Sequence, residues 1–163
     1  NIISKKACEN ITEYAFEYAR KYSKHSNYSE RKQVLACHKA GVMKMGDGLF
    51  IQTAAETAKR YPEIEYKEEQ VDTVCMHLAR DPNTVDVMVM PNLYGDIVSD
   101  LCAGLIGGLG LTASGNIGKD CAVYEAVHGT APDIAGKGLA NPTALLLSAT
   151  MVLHDRKLRC CAT

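Results

Sequence analysis

Apolar positions recur along this chain in two rhythms, one suited to helices and one to short buried strands. From Ala7 to Tyr22 the residues Ala7, Ile11, Tyr14, Ala15, Tyr18 and Tyr22 return at helical spacing. Ser23 to Arg31 is polar and reads as a loop, and Val34-Leu-Ala-Cys37 is an apolar run of buried-strand type. Leu49 to Ala58 predicts a second helix ending before Tyr61-Pro62, and Ile64 to Tyr66 a short strand. Val71 to Leu78 predicts a helix closed by Asp81-Pro-Asn83. A strand over 86–90 follows, then a turn at Gly95 and a mostly buried helix from Asp96 to Gly108. A Gly/Ser/Asn-rich loop spans Thr112 to Lys119, with a strand from Ala122 to Tyr124 after it. Small residues then lead through a loop to Asn141-Pro142 and a last helix, Thr143 to Leu153. Strands alternating with helices predict an α/β layer architecture.

Composition narrows the function classes. The 163 residues suffice for one domain with a real core, and 47% hydrophobic with 23% charged residues is ordinary for a globular protein. A net charge of −1 gives no reason to expect a nucleic-acid partner, and no apolar run approaches a membrane span. The opening Asn-Ile-Ile-Ser-Lys-Lys is neither a signal nor a transit peptide. The cysteines number seven, with no Cys-x-x-Cys pair. Scattered thiols such as Cys8, Cys37, Cys75, Cys102 and Cys121 fit small buried hydrophobes in a reducing compartment, and zinc is not expected. The glycosylation patterns Asn10-Ile-Thr12 and Asn27-Tyr-Ser29 are then chance matches.

The chemistry gathers in four places. Asp96 and Asp100 stand four residues apart on the 96–108 helix, so their carboxylates share one face. Like charges at that spacing cost an isolated helix roughly 0.2–0.5 kcal/mol. A helix N-terminus offsets part of this and a divalent cation would remove it, so the pair is either a metal site or a solvated acidic first turn. His128-Gly-Thr-Ala-Pro-Asp-Ile-Ala-Gly136, followed by Lys137-Gly-Leu-Ala-Asn141, sets an imidazole and a carboxylate among small residues. Such a loop lets backbone approach a flat ligand while a carboxylate such as Asp133 accepts from ribose hydroxyls; an ordinary surface loop is the alternative. Lys39 leaves the end of the 34–37 strand, where α/β proteins place ligand sites, and Asp72 lies in the first turn of the 71–78 helix. His77 reads as a packed histidine. Gly108-Leu-Gly110-Leu-Thr-Ala113 matches a dinucleotide pattern but follows a helix, so it reads as a glycine-rich helix end.

Three segments resemble the NAD-dependent isocitrate dehydrogenase branch of the isocitrate/isopropylmalate dehydrogenase family. They are Asp86 through Gly110, Glu125-Ala-Val-His-Gly-Thr-Ala-Pro-Asp-Ile-Ala-Gly136, and Asn141-Pro-Thr-Ala-Leu-Leu-Leu-Ser-Ala149, in the family's order. The resemblance runs from about the first helix to about Leu153. It implies an isopropylmalate dehydrogenase-like fold, a sheet flanked by helices, of which this chain would be the part lacking the amino-terminal half. It would be one partial domain over 1–163, with 154–163 a divergent, truncated tail.

By the same resemblance, Asp96 and Asp100 would bind Mg²⁺ or Mn²⁺, with Asp72 reaching that ion from a second subunit. Lys39 would be the partner's proton-transfer lysine, so Lys39 and Asp72 are the catalytic candidates. His128, Gly129, Thr130, Ala131, Asp133, Ile134 and Asn141 would hold the adenosine half of NAD. Asp133, where NADP-dependent members carry lysine, would repel a 2′-phosphate. The implied reaction is oxidation of isocitrate by hydride transfer, followed by loss of CO₂ to give 2-oxoglutarate. The implied setting is a homo- or hetero-oligomer in the mitochondrial matrix of a eukaryote, or the cytoplasm otherwise.

Three departures qualify these expectations. Gly41 stands where the family has asparagine after His-Lys-Ala, near the nicotinamide end. The substrate-gripping arginines and the catalytic tyrosine belong to the family's amino-terminal half, so isopropylmalate stands as an alternative substrate. An inactive truncated subunit that works through association is the other alternative. The intact Gly-Asp-x-x-Ser-Asp and His-Gly-Thr-Ala-Pro-Asp patterns resemble catalytic-type subunits, although 27–32 and 39–48 have a flavour of the others. A chain without half of its sheet partners would expose apolar surface and fold poorly alone.

Overall fold

The computed structural model describes residues 2–22 and 32–159, with side-chain surroundings as far as residue 155. The loop expected over 23–31 lies outside the described residues, as do Asn27, Cys160 and Cys161. The chain forms two compact units, residues 1–98 and 99–163.

In the first unit, helix α1 (Lys5–Tyr22) precedes strand β1 (Gln33–His38), helix α2 (Gly46–Ala58), strand β2 (Glu65–Gln70), helix α3 (Val71–Arg80) and strand β3 (Val87–Val89). The strands form a parallel sheet in the order β2-β1-β3. Central β1 is buried from Gln33 to Cys37, as a parallel strand covered on both faces must be. Its Val34 and Ala36 join Val89, Phe16, Ala19, Phe50, Ala54, Tyr61 and Ile64 in one core under α1 and α2. Phe16 stacks on Tyr61 with ring centroids 5.1 Å apart. On the alternate positions, Leu35 and Cys37 are buried on the sheet's other face.

The elements match the hydrophobic pattern, with instructive shifts. The buried face of α1 is Cys8, Thr12, Ala15, Phe16 and Ala19, while Ile11, Tyr14 and Tyr18 are exposed. The Thr12 hydroxyl donates to the Cys8 carbonyl at 2.7 Å and is fully buried. Strand β2 runs over 65–70 instead of 64–66, because a polar Glu-Tyr-Lys-Glu-Glu-Gln run is acceptable on a sheet edge. His77 is not packed in a core: it is half-exposed, its Nδ1 3.3 Å from Glu69 Oε2. Cys8 and Cys37 are buried as expected, whereas Cys121 is exposed.

Helix α4 (Asn92–Ile106) begins four residues earlier than the pattern predicts. Gly95 is therefore not a turn. Its N–H donates to the Pro91 carbonyl at 3.0 Å as part of the opening helical turn, and a Cβ there would meet only Met90 Cγ at 3.6 Å. Nor is α4 mostly buried: Val98 and Ala103 are, but Leu93, Ile97, Leu105 and Ile106 are exposed.

In the second unit α4 ends in a Schellman motif. Gly108 N–H donates to Ala103 O at 2.7 Å and Gly107 N–H to Gly104 O at 3.4 Å, both glycines having positive φ. The glycine-rich helix end is thus what the Gly-x-Gly pattern encodes. Antiparallel strands β4 (Ala113–Ile117) and β5 (Ala122–Ala126) follow, then helix α5 (Thr143–Arg159). The predicted loop over 112–119 is mostly strand β4. Weak strand formers are held there by cross-strand packing: Gly115 pairs with Tyr124, whose ring would sit 3.0 Å from a Cβ at position 115. Buried Ser148 of α5 clasps both strands, its hydroxyl 2.7 Å from the Glu125 carbonyl and 3.4 Å from the Ser114 N–H. Among the described residues no helix is long and apolar enough to cross a membrane.

Candidate functional site

Parallel neighbours in register finish at the same sheet edge, and that brings two distant sequence candidates together. His38 at the end of β1 lies opposite Gln70 at the end of β2. The chain turns away after His38, whereas Gln70 feeds directly into α3. Lys39 and Asp72 therefore meet above the carboxyl edge, where α/β sheets form ligand sites. The Lys39 ammonium donates to Asp72 Oδ2 at 2.5 Å and to Gln70 Oε1 at 2.9 Å. Lys39's hydrogen bond is the main cause holding the Asp72 carboxyl below its usual range, and the backbone N–H groups of Asp72 and Thr73 help. Gln70 escaped the sequence reading, since a glutamine at a strand end carries no motif.

The turn that presents Lys39 is tied down on both sides of its peptide units. Val42 and Met43 N–H groups donate to the Lys39 carbonyl at 2.9 and 2.8 Å, and Ala40 N–H to His38 Nδ1 at 3.1 Å. The Lys39 N–H donates at 2.7 Å to Oδ2 of Asp47, a buried carboxylate in the first turn of α2. The hydroxyl of Tyr94 on α4 hydrogen-bonds the same carboxylate; burial and this partner push the Tyr94 pKa up. Sequence reading missed Asp47 and Tyr94. The acidic residue between Gly46 and Gly48 was a helix-start signal that an apolar-spacing criterion passed over.

Asp96 and Asp100 are both exposed on α4, four residues apart. Because α4 starts at Asn92, they lie beyond its first turn, and the N-terminal dipole offset expected for Asp96 is largely lost. Oxygen-only donors on one helix face suit a hard cation such as Mg²⁺ or Mn²⁺. Among the described residues, no three His, Cys, Asp or Glu side chains cluster closely enough to hold a metal.

The loop after β5 is exposed throughout from His128 to Asn141. Its shape comes from backbone conformations that small residues permit: Ala131 is left-handed at φ 39°, Asp133 and Ile134 lie in a 3₁₀ turn with Pro132, and Gly136 and Gly138 have positive φ. Gly129 and Thr130 lead into that turn. Asn141 closes the loop by capping α5, its Oδ1 accepting from the Thr143 N–H at 3.0 Å and hydroxyl at 2.7 Å. Gly110 packs beside it, and a Cβ at position 110 would approach Asn141 Cβ to 3.3 Å. His128 through Asn141 thus form one continuous small-residue ledge on the second unit.

Known proteins resemble the chain over nearly its whole length. The model of the isocitrate/isopropylmalate dehydrogenase family matches residues 1–159. The chain is 57% identical over 154 residues to the alpha subunit of mitochondrial isocitrate dehydrogenase (NAD) of Bos taurus, covering 94% of this chain and 40% of that one. It is 60% identical over 154 residues to a regulatory subunit of mitochondrial isocitrate dehydrogenase (NAD) of Dictyostelium discoideum, covering 94% and 42%. The crystal structure of isocitrate dehydrogenase from Methylococcus capsulatus superposes with a TM-score of 0.87 at 48% identity, covering 94% of this chain and 43% of that one. The chain thus spans about two fifths of the length of the curated relatives it matches. By family model, sequence and fold together, this chain belongs to the isocitrate/isopropylmalate dehydrogenase family.

Proposed function

We propose that the chain is the C-terminal portion of a catalytic-type subunit of an NAD-dependent isocitrate dehydrogenase, working within a dimeric or heteromeric enzyme of the mitochondrial matrix. The observation that carries this reading is the Lys39–Asp72 ion pair at the carboxyl edge of the parallel sheet. Lys39 and Asp72 face a neighbouring subunit's site as one unit. Asp96 and Asp100 hold a divalent cation in the chain's own site, joined there by the neighbour's Asp72. That cation supplies electrostatic stabilisation of negative charge on the substrate's oxygens. Lys39 moves a proton at its Nζ, with Asp72 and Gln70 holding the ammonium in place. The His128–Asn141 ledge admits the adenosine half of NAD against backbone, and Asp133 accepts from its ribose hydroxyls while repelling a 2′-phosphate.

The assay is NADH formation by the assembled enzyme carrying this chain, with Mg²⁺ and isocitrate, beside a parallel arm with isopropylmalate. Asp96→Asn is expected to abolish the isocitrate-dependent rate. Persistent activity in that variant would remove the metal assignment, and turnover confined to isopropylmalate would change the substrate.

A second reading has support of its own. Exposed Leu93, Ile97, Leu105 and Ile106 on α4, with Leu145, Leu146, Leu147 and Leu153 on α5, offer apolar surface to partners. A relative named as a regulatory subunit is 60% identical. An inactive subunit that works by association would co-purify with a family partner yet leave its NADH production unchanged when Asp96 is replaced.

A further inference from the structure

One buried carboxylate accepts from the Lys39 turn and from the first turn of α4. Asp47 is 2% exposed, and burying a carboxylate is costly unless its oxygens are hydrogen-bonded. Its two donors come from different places. The Lys39 N–H belongs to the turn that presents the ammonium to Asp72, and the Tyr94 hydroxyl belongs to the turn of α4 just before Asp96. The Asp47 N–H in turn donates to the Met43 carbonyl at 3.0 Å, so the carboxylate is fixed to the Lys39 turn through its own backbone as well. A rigid element that fixes a group able to move a proton matters because misplacement by about 1 Å can cost on the order of 100-fold in rate.

We propose that Asp47 is a positioning residue, tying the Lys39 turn to the start of α4 so that the lysine and Asp96, two residues beyond Tyr94, hold one fixed relation. Asp47 contacts no substrate. It acts through the backbone of Lys39 and through Tyr94. The inference rests on the function proposed above, in which Lys39 serves one active site and Asp96 another, so a single side chain links the two sites to which one subunit contributes.

The test uses the assembled enzyme with Asp47→Ala, Asp47→Asn and Tyr94→Phe, reading kcat, the KM for NAD and amide hydrogen exchange at residues 38–43. Asp47→Ala is expected to lower kcat about 10- to 100-fold and speed exchange of the Lys39 amide about tenfold, with the KM for NAD within about twofold. Asp47→Asn keeps an acceptor oxygen and is expected to recover both to within about threefold of wild type. A folded Asp47→Ala enzyme with kcat and Lys39 exchange close to wild type would overturn the proposal, as would an Asn variant no better than Ala. Should Asp47→Ala fail to fold, Tyr94→Phe removes a single hydroxyl and decides the matter: about threefold faster Lys39 exchange with reduced kcat supports the link, and no change in either overturns it. A wild-type assembly that makes no NADH from any substrate would defeat the functional reading, while the exchange measurement would still judge the positioning.

Discussion

The ammonium of Lys39 and the carboxylate of Asp72 form a salt bridge within one chain, 2.5 Å apart across 33 residues of sequence. Two groups that resemblance assigns to the same neighbouring site are therefore delivered together, pre-paired, by the ends of two adjacent parallel strands. The pair is partly exposed, which limits its part in stability and leaves it available to a partner.

Separating that pair should damage function more than fold. In the assembled enzyme, Lys39→Met and Asp72→Asn are each expected to lower kcat by on the order of 100-fold or more, in keeping with lost proton transfer. Urea midpoints of the same proteins should stay close to wild type. A large loss of stability with preserved turnover would make the pair structural.

The exposed ledge around Asp133 makes a prediction about cofactor choice. Asp133→Lys replaces a repelling charge with an attracting one, so the ratio of kcat/KM for NAD over NADP is expected to fall by about tenfold or more, equivalent to about 1.4 kcal/mol. Steady-state kinetics with both cofactors measures it, and an unchanged ratio removes Asp133 from the cofactor site.

Phe16 and Ser148 should differ in cost. Phe16 is fully buried and stacked on Tyr61, so Phe16→Ala is expected to destabilise the first unit by about 3–5 kcal/mol. Ser148→Ala leaves the Ser114 N–H and Glu125 carbonyl without their partner, at about 1–3 kcal/mol. Denaturant unfolding followed by amide exchange separates the two units.

Tyr61 predicts the alkaline limb of stability. Burial, then the hydrogen bond to Glu17 at 2.9 Å and the nearby acidic charges, push its pKa up to about 12. A free tyrosine titrates near 10. The folded state therefore prefers the neutral phenol. That stabilisation is fully present below about pH 10 and is lost as pH rises toward 12. Tyr61→Phe should lessen the fall in unfolding free energy between these pH values, and a phenolate absorbance titration should lose a step near pH 12.

What the chain's own residues make legible is local. Helical spacing announces α1, α2, α3 and α5, and the run Val34–Cys37 announces a buried strand, because periodic burial leaves its mark on neighbouring positions. The pattern Gly95-Asp-Ile-Val-Ser-Asp100 and the loop from His128 to Asn141 are equally readable, since spacing on one helix or in one loop fixes what lies together. Tertiary structure alone decided the rest. It turned weak strand formers over 113–117 into a strand by packing Tyr124 over Gly115, moved the start of α4 to Asn92, and brought exposed faces to α4 where apolar residues predicted burial. It also joined Lys39 to Gln70 and Asp72, and Asp47 to Lys39 and Tyr94. These relations depend on parallel strands ending in register and on a tyrosine of α4 reaching the Asp47 carboxylate, and no periodicity along the chain records which distant residues will share a sheet edge.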